Sequence, residues 1–382
     1  MYSFKPYVFK ECETQSSEIK PSPRTFPTIF CNEKYLYSFS GYKYMLNIHT
    51  ATDFDDARII KEIWKYNLAT GVWTCLPEQR FFPTNNEIIL GMTFKSEKLI
   101  VVTWNKCQSK GYLYTHYLKN ENEVEKMTTK GPLPKRFFSH NFISHGSYLY
   151  TIGNDRGLGV FRIDPETGIW EKMSPDNGDD FPGDYADIEL AFDGRKIYVI
   201  FVKLRGERVR ELKTLQAYDI EQNRWHILET TGDPENDKPY PDLRINFGID
   251  HVVDPETREI SIVISGGTMD RKIYSDVWQL RLSTLRWTCL NKLGSILPLA
   301  ICEHDATTSR DGKMYVFGGR IKRTNNRLTE VNSLYSAWLR IPKLADICWE
   351  AVNYYYKDLN SKTDEELFEL GLPIKFVRSR CQ

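Results

Sequence analysis

Short runs of β-branched and aromatic residues recur along the chain: YLYSFSG (35–41), KLIVVTW (98–104), YLYTIG (148–153), KIYVIF (196–201), EISIVISGG (259–267) and KMYVFGG (313–319). Each follows a turn signal such as CNE, SHG, FDG or SRDG, so each reads as a β-strand. A polar loop and a second run come next. In four units that second run ends in tryptophan: WKYNLATGVW (64–73), FRIDPETGIW (161–170), YDIEQNRW (218–225) and LRLSTLRW (280–287). In all four, Tyr66, Ile163, Tyr218 or Leu280 stands seven positions before the Trp. Turn formers between them, such as Thr70-Gly71 and Thr167-Gly168, predict a hairpin. The second unit keeps this spacing with Tyr117 and Val124 and lacks the Trp.

Six units between residues 24 and 340 give a period of about 50 residues, in the range of kelch blades. A four-stranded antiparallel blade cannot bury both faces alone, whereas neighbours packed around an axis can. The Trp has the size to fill the wedge between blades. The pattern resembles the kelch family, with Gly266-Gly267 and Gly318-Gly319 as its glycine pairs. Blade one has Ser40-Gly41, blade three Gly153-Asn154, and blades two and four lack the pair. The expected fold is all-β: a six-bladed kelch β-propeller over 1–340, followed by a short helical segment over 341–382. Blade six lacks its last strand, and KPYVFKE (5–11) is expected to supply it.

The pattern changes after blade six. Pro342 suits a first helical turn. Leu344, Ile347, Cys348, Ala351, Val352 and Tyr355 then form one apolar helical stripe, with Lys343, Asp346, Glu350 and Asn353 opposite. Thr363 and Glu366 form a capping box for a second helix, which Gly371 is placed to end. LPIKFV (372–377) offers a further apolar turn. These helices are expected either to cap the propeller or to serve a partner.

Leu344-x-x-x-Cys348-x-x-x-Val352 resembles the BC-box, a helix that docks its leucine and cysteine into Elongin C. Lys343 replaces the usual small residue or proline before the leucine. Leu372, Pro373, Ile374 and Phe376 resemble a cullin box of the cullin 2 form, since Lys375 stands where the cullin 5 form has a second proline. The whole chain is similar to the kelch domain-containing protein 10 (Slim) family, through EIWKYNLATGVW (62–73), the order of units and AWLRIPKLADICWEAV (337–352). That resemblance implies a substrate receptor of a cullin–RING ubiquitin ligase. Its partners would be Elongin B/C, cullin 2 and a RING subunit, and it would bind C-terminal tails (C-degrons) of target proteins. The alternative is a non-enzymatic kelch scaffold for cytoskeletal or signalling proteins.

A C-terminal tail carries a free carboxylate, which arginine clamps bidentately. In the kelch pattern the residue opening each first strand lines the axis, often as Pro-x-Arg or Pro-x-x-Arg. Pro23-Arg24, Pro134-Lys135-Arg136 and Pro241-Asp242-Leu243-Arg244 match it in outline. Arg320 follows the last glycine pair, and Ser139, His140, Asn246 and His304 fall near the same level. Arg136 and Arg244 are the expected clamp, whereas blade four has Asp184 and Asp187 there.

Composition narrows the alternatives. There are 51 Lys plus Arg and 51 Asp plus Glu, so the chain has no broad basic footprint for nucleic acid or acidic membranes. No apolar run reaches the ~18 residues of a membrane span. MYSFKPYVFK does not read as a signal peptide. Eight scattered cysteines form no C-x-x-C, which fits reduced thiols in cytoplasm or nucleus. Seven dispersed histidines form no H-E-x-x-H, and there is no G-x-S-x-G or P-loop. GDDFPGDYAD (178–187) lacks calcium-loop spacing. The expectation is a non-catalytic adaptor without cofactor or metal.

Overall fold

The structure is a computed structural model. It describes residues 2–12, 14, 19–44, 57–76, 87–95, 97–105, 107–118, 123–134, 136–137, 142–154, 158–173, 185–203, 212–254, 256–324, 327–356, 359 and 362–381. The repeats fold as six antiparallel sheets, each built on a path of four strands, the blades of the expected propeller. Blade one pairs Thr28–Cys31, Tyr35–Phe39, Ile63–Asn67 and Trp73–Cys75 in that order. Blade two uses Glu87–Lys95, Lys98–Asn105, Lys110–Tyr117 and Val124–Thr128. Blade three uses Ile143–His145, Tyr148–Asn154, Leu158–Asp164 and Ile169–Lys172, with Arg136–Phe137 paired to the far end of its second strand. Blade four uses Tyr185–Phe192, Lys196–Lys203, Thr214–Asp219 and Arg224–Glu229. Blade five uses Gly248–Val253, Ile260–Ser265, Val277–Arg281 and Arg286–Cys289.

Blade six takes Asp305–Thr308, Lys313–Phe317 and Leu334–Trp338, and its fourth strand is Lys10–Glu11 from the other end of the chain. Lys10 lies opposite Ser336 and Glu11 opposite Tyr335. The strand is shorter than the stretch 5–11, although Tyr7 N–H also donates to Trp338 O at 2.8 Å.

The seven-residue spacing has a direct structural meaning. Tyr66 and Trp73, Ile163 and Trp170, Tyr218 and Trp225, and Leu280 and Trp287 are cross-strand partners. Two residues before each Trp the backbone is left-handed, at Gly71 (φ 70°), Gly168 (φ 69°), Asn223 (φ 49°) and Leu285 (φ 51°). Each Trp then packs on the preceding blade. Trp73 meets Phe317 of blade six at 5.5 Å between ring centres. Trp170 clusters with Ile100, Val102 and Leu113 of blade two. Trp225 packs with Ile152 of blade three and Trp287 with Ile200 of blade four. Blade two departs by one register step: Val124 lies opposite His116, not Tyr117. The buried His116 fills the position that Tyr, Ile or Leu holds elsewhere.

The chain divides into two compact units. One comprises residues 1–76 and 290–382, the other residues 77–289. The first unit therefore holds blades one and six together with three C-terminal helices, α1 (Leu344–Tyr355), α2 (Asp364–Glu369) and α3 (Ile374–Cys381). The boundary expected at 340/341 falls inside it. Pro342 precedes the N-cap Lys343 instead of lying in the first turn of α1. Thr363 and Glu366 do form a capping box, at 3.2 Å and 2.7 Å, and Gly371 adopts φ 69° after α2. No helix of the described residues is long and apolar enough to cross a membrane.

Candidate functional site

The arginines expected to line the propeller axis have internal partners. Arg24 donates from Nη2 to Glu62 Oε2 at 2.5 Å, from Nη1 to Ser40 O at 3.0 Å and from Nε to Ser22 O at 2.9 Å. Glu62 Oε2 also accepts from Trp64 Nε1 at 2.8 Å. Arg244 repeats this arrangement in blade five. It grips Asp276 bidentately at 2.6 and 3.0 Å, and donates to Gly266 O and Asp242 O at 3.0 Å each. Asp276 Oδ2 accepts from Trp278 Nε1 at 2.7 Å. Both arginine side chains are 0% exposed. Burial pushes the Arg24 guanidinium below its usual pKa, against the pull of Glu62.

This corrects the role expected of Arg24 and Arg244. A guanidinium already bonded to a carboxylate and two carbonyls offers an incoming tail nothing without breaking the blade. They are locks that tie the segment entering the first strand to the acidic-x-Trp of the third strand. The sequence signal was present as Glu62-Ile-Trp64 and Asp276-Val-Trp278.

Arg320 is likewise paired, with Glu303, and its guanidinium lies 4.7 Å from the Tyr44 ring centre. Burial pushes the Glu303 carboxyl upward, with Arg320 opposing. His304 is buried beside this pair, and Asn246 holds φ 54°. Arg136 is described through its backbone, opposite Asn154. Ser139, His140 and Asp184 lie outside the described residues, and the side chain of Asp187 does too. Arg24, Arg244 and Arg320 thus each have a carboxylate partner close by in the chain fold, Glu62, Asp276 and Glu303.

The C-terminal helices show the opposite arrangement. Leu344 is 74% exposed, and Cys348 and Tyr355 are exposed on the same side of α1. Ile347, Ala351 and Val352 are half-buried. The polar side faces the blades. Asp346 is buried, Glu350 accepts from Lys313 Nζ at 2.6 Å and Trp338 Nε1 at 2.7 Å, and Asn353 Nδ2 donates to Ala69 O at 3.0 Å. Trp349, which pattern alone does not single out, is the anchor. It forms a buried cluster with Leu359, Leu367 and Val377, against which Ala69 and Val352 pack.

The cullin-box residues belong partly to that cluster. Leu372, Ile374 and Phe376 pack against it half-buried, with Phe376 edge-on to Trp349 at 5.9 Å, whereas Pro373 is exposed. Cys348 is a free thiol. No group of three or more His, Cys, Asp or Glu among the described residues has metal-binding proximity.

No family model matches the chain. A curated fruit-fly protein, "Kelch domain-containing protein 10 homolog" of Drosophila melanogaster, is 29% identical over 99% of this chain and 65% of its own length. The chain thus spans about two thirds of that relative. "Kelch domain-containing protein 10" is 26% identical in Xenopus laevis, covering 94% of this chain and 85% of the frog protein. In Homo sapiens it is 25% identical, covering 92% and 78%. A solved structure titled "Structure of YjhT" aligns over 82% of this chain and 99% of its own, with 12% identity and a TM-score of 0.49. The six four-stranded blades and these names define a kelch-repeat protein of the β-propeller class. Within that class the chain is similar over nearly its full length to kelch domain-containing protein 10 of fly, frog and human.

Proposed function

We propose that the protein is the substrate-recognition subunit of an Elongin B/C–cullin 2 RING ubiquitin ligase. One observation carries the reading: α1 turns its polar side to the blades and its Leu344–Cys348 face to solvent. An apolar stripe on a helix is ordinarily buried, and one left exposed marks an interaction surface. Leucine and cysteine one turn apart supply the knobs for a helix-in-groove contact. The protein itself performs no chemistry in this reading and acts in the cytoplasm or nucleus.

The proposed substrates are proteins read by their C-terminal tails. Because Arg24 and Arg244 are locked inside their blades and Arg320 is paired with Glu303, this part of the proposal rests on Arg136. Amidating the terminal carboxylate of a bound tail, or Arg136→Ala, is expected to abolish tail binding. Undiminished binding in both cases would remove the tail reading. The receptor reading is tested by co-purification with Elongin B/C, expected for the wild type and lost in Leu344→Ser/Cys348→Phe. Absence of a wild-type complex would favour the scaffold reading.

A further inference from the structure

Helix α1 follows blade six after only a few residues, and its N-cap, Lys343, makes no side-chain cap bond. Something else must hold its direction. Lys313 and Trp338, the donors to Glu350, are cross-strand partners at the end of blade six. Together they form a two-pronged fork, with Lys313 Nζ also 5.1 Å from the Trp338 ring centre. Glu350 Oε1 sits in the fork, and Oε2 accepts from Tyr2 OH at 3.1 Å. Burial alone would raise the Glu350 carboxyl; Lys313 and the two neutral donors outweigh it and hold it below its usual value. Tyr2 also holds the helix through its backbone, its N–H donating to Tyr355 OH at 3.0 Å. One turn on, Asn353 reaches blade one.

On a helix, Glu350, Trp349 and Asn353 lie on the side opposite Leu344 and Cys348. We infer that Glu350 is a positioning residue: seated in the Lys313–Trp338 fork, it fixes the direction in which the Leu344–Cys348 face is presented from blade six. In a ligase, the helix direction sets where the propeller stands relative to the ubiquitin donor. That consequence rests on the receptor reading proposed above; the latch itself does not.

The test uses the full chain with Glu350→Ala, and with Glu350→Gln as the conservative variant that can still accept from Trp338. Hydrogen exchange in α1 is expected to rise about tenfold in Glu350→Ala and less in Glu350→Gln, while blade-six strands stay protected. Elongin B/C affinity should stay within about twofold, since Glu350 lies off the docking face. In a reconstituted Elongin B/C–cullin 2–RING assembly, self-ubiquitination should spread from a narrow set of receptor lysines to a wider one. Unchanged α1 exchange would overturn the latch, and a loosened α1 that leaves the lysine pattern unchanged would overturn its consequence for the placement of the propeller. If Glu350→Ala disturbs the blade-six strands, Trp338→Phe removes one prong from the blade side and is read by the same measurements. If wild-type protein captures no Elongin B/C, the receptor reading fails, and the exchange of α1 still decides the latch.

Discussion

The arginine positions of the blades and the stripe of α1 are inverted with respect to each other. Arg24 and Arg244 have the residue type of a ligand clamp and turn inward, each onto a carboxylate that also holds a tryptophan. Leu344 and Cys348 have the residue types of a core and turn outward, while Asp346 and Glu350 face protein. The difference is one of partners. A charge goes inside when a second charge and a set of carbonyls meet it there, and an apolar stripe stays outside when the opposite face is better anchored. Side-chain type is thus a poor guide to function here, and satisfaction of each group a better one.

The largest effect expected from this contrast is at the blade lock. Arg244→Ala takes the guanidinium from Asp276, which keeps only the Trp278 donor, and from Gly266 O, and should destabilise the second unit by about 3 kcal/mol, the lower end for a broken buried pair because Asp276 is 23% exposed. Arg244→Met/Asp276→Leu should recover most of that loss in a denaturant titration. Full stability of the single variant would return Arg244 to the list of free ligands. Trp349→Ala should cost a similar amount, about 3 kcal/mol, confined to the C-terminal helices, with loss of helical signal and of protection in α1 to α3.

A smaller effect concerns blade two, where His116 replaces the cross-strand apolar residue. Burial lowers its pKa to about 4 from an ordinary 6.5. The unfolded chain therefore binds more protons between these values, and stability should fall as pH drops from about 6.5 towards 4 and level off below. The loss should be on the order of 1–3 kcal/mol, and His116→Phe should flatten it in melts across that range. An unaltered pH profile in the variant would place the dependence elsewhere.

Much of the fold was legible because its signals are local. The seven-residue spacing before each Trp is a cross-strand pair closed by a short turn, and Thr363 with Glu366 is a capping box within one helical turn. The candidate site was less legible because its contacts are distant. Arg24 finds Glu62 38 residues away, and Arg244 finds Asp276 after 32. Neither separation leaves a periodic trace, although the shared acidic-x-Trp offered one. Trp349 escapes the helix pattern because it interrupts the polar side of α1, and Val124 pairs one step away from Tyr117 because a histidine in blade two stands in for a hydrophobe. The stripe of Leu344 and Cys348 was legible as a stripe; which way it faces depends on the fork at Lys313 and Trp338, from strands that the helix pattern does not contain.

The smallest stability effect carries the most functional weight. Leu344 and Cys348 are exposed, so Leu344→Ser/Cys348→Phe should shift folding stability by no more than about 0.5 kcal/mol. The decisive measurement is a binding titration of purified Elongin B/C against the wild type and this variant, with thermal melts of both. The account predicts saturable wild-type binding, at least about a fiftyfold loss in the variant and coincident melts. Equal binding by the two proteins, or a variant that melts well below the wild type, would contradict it.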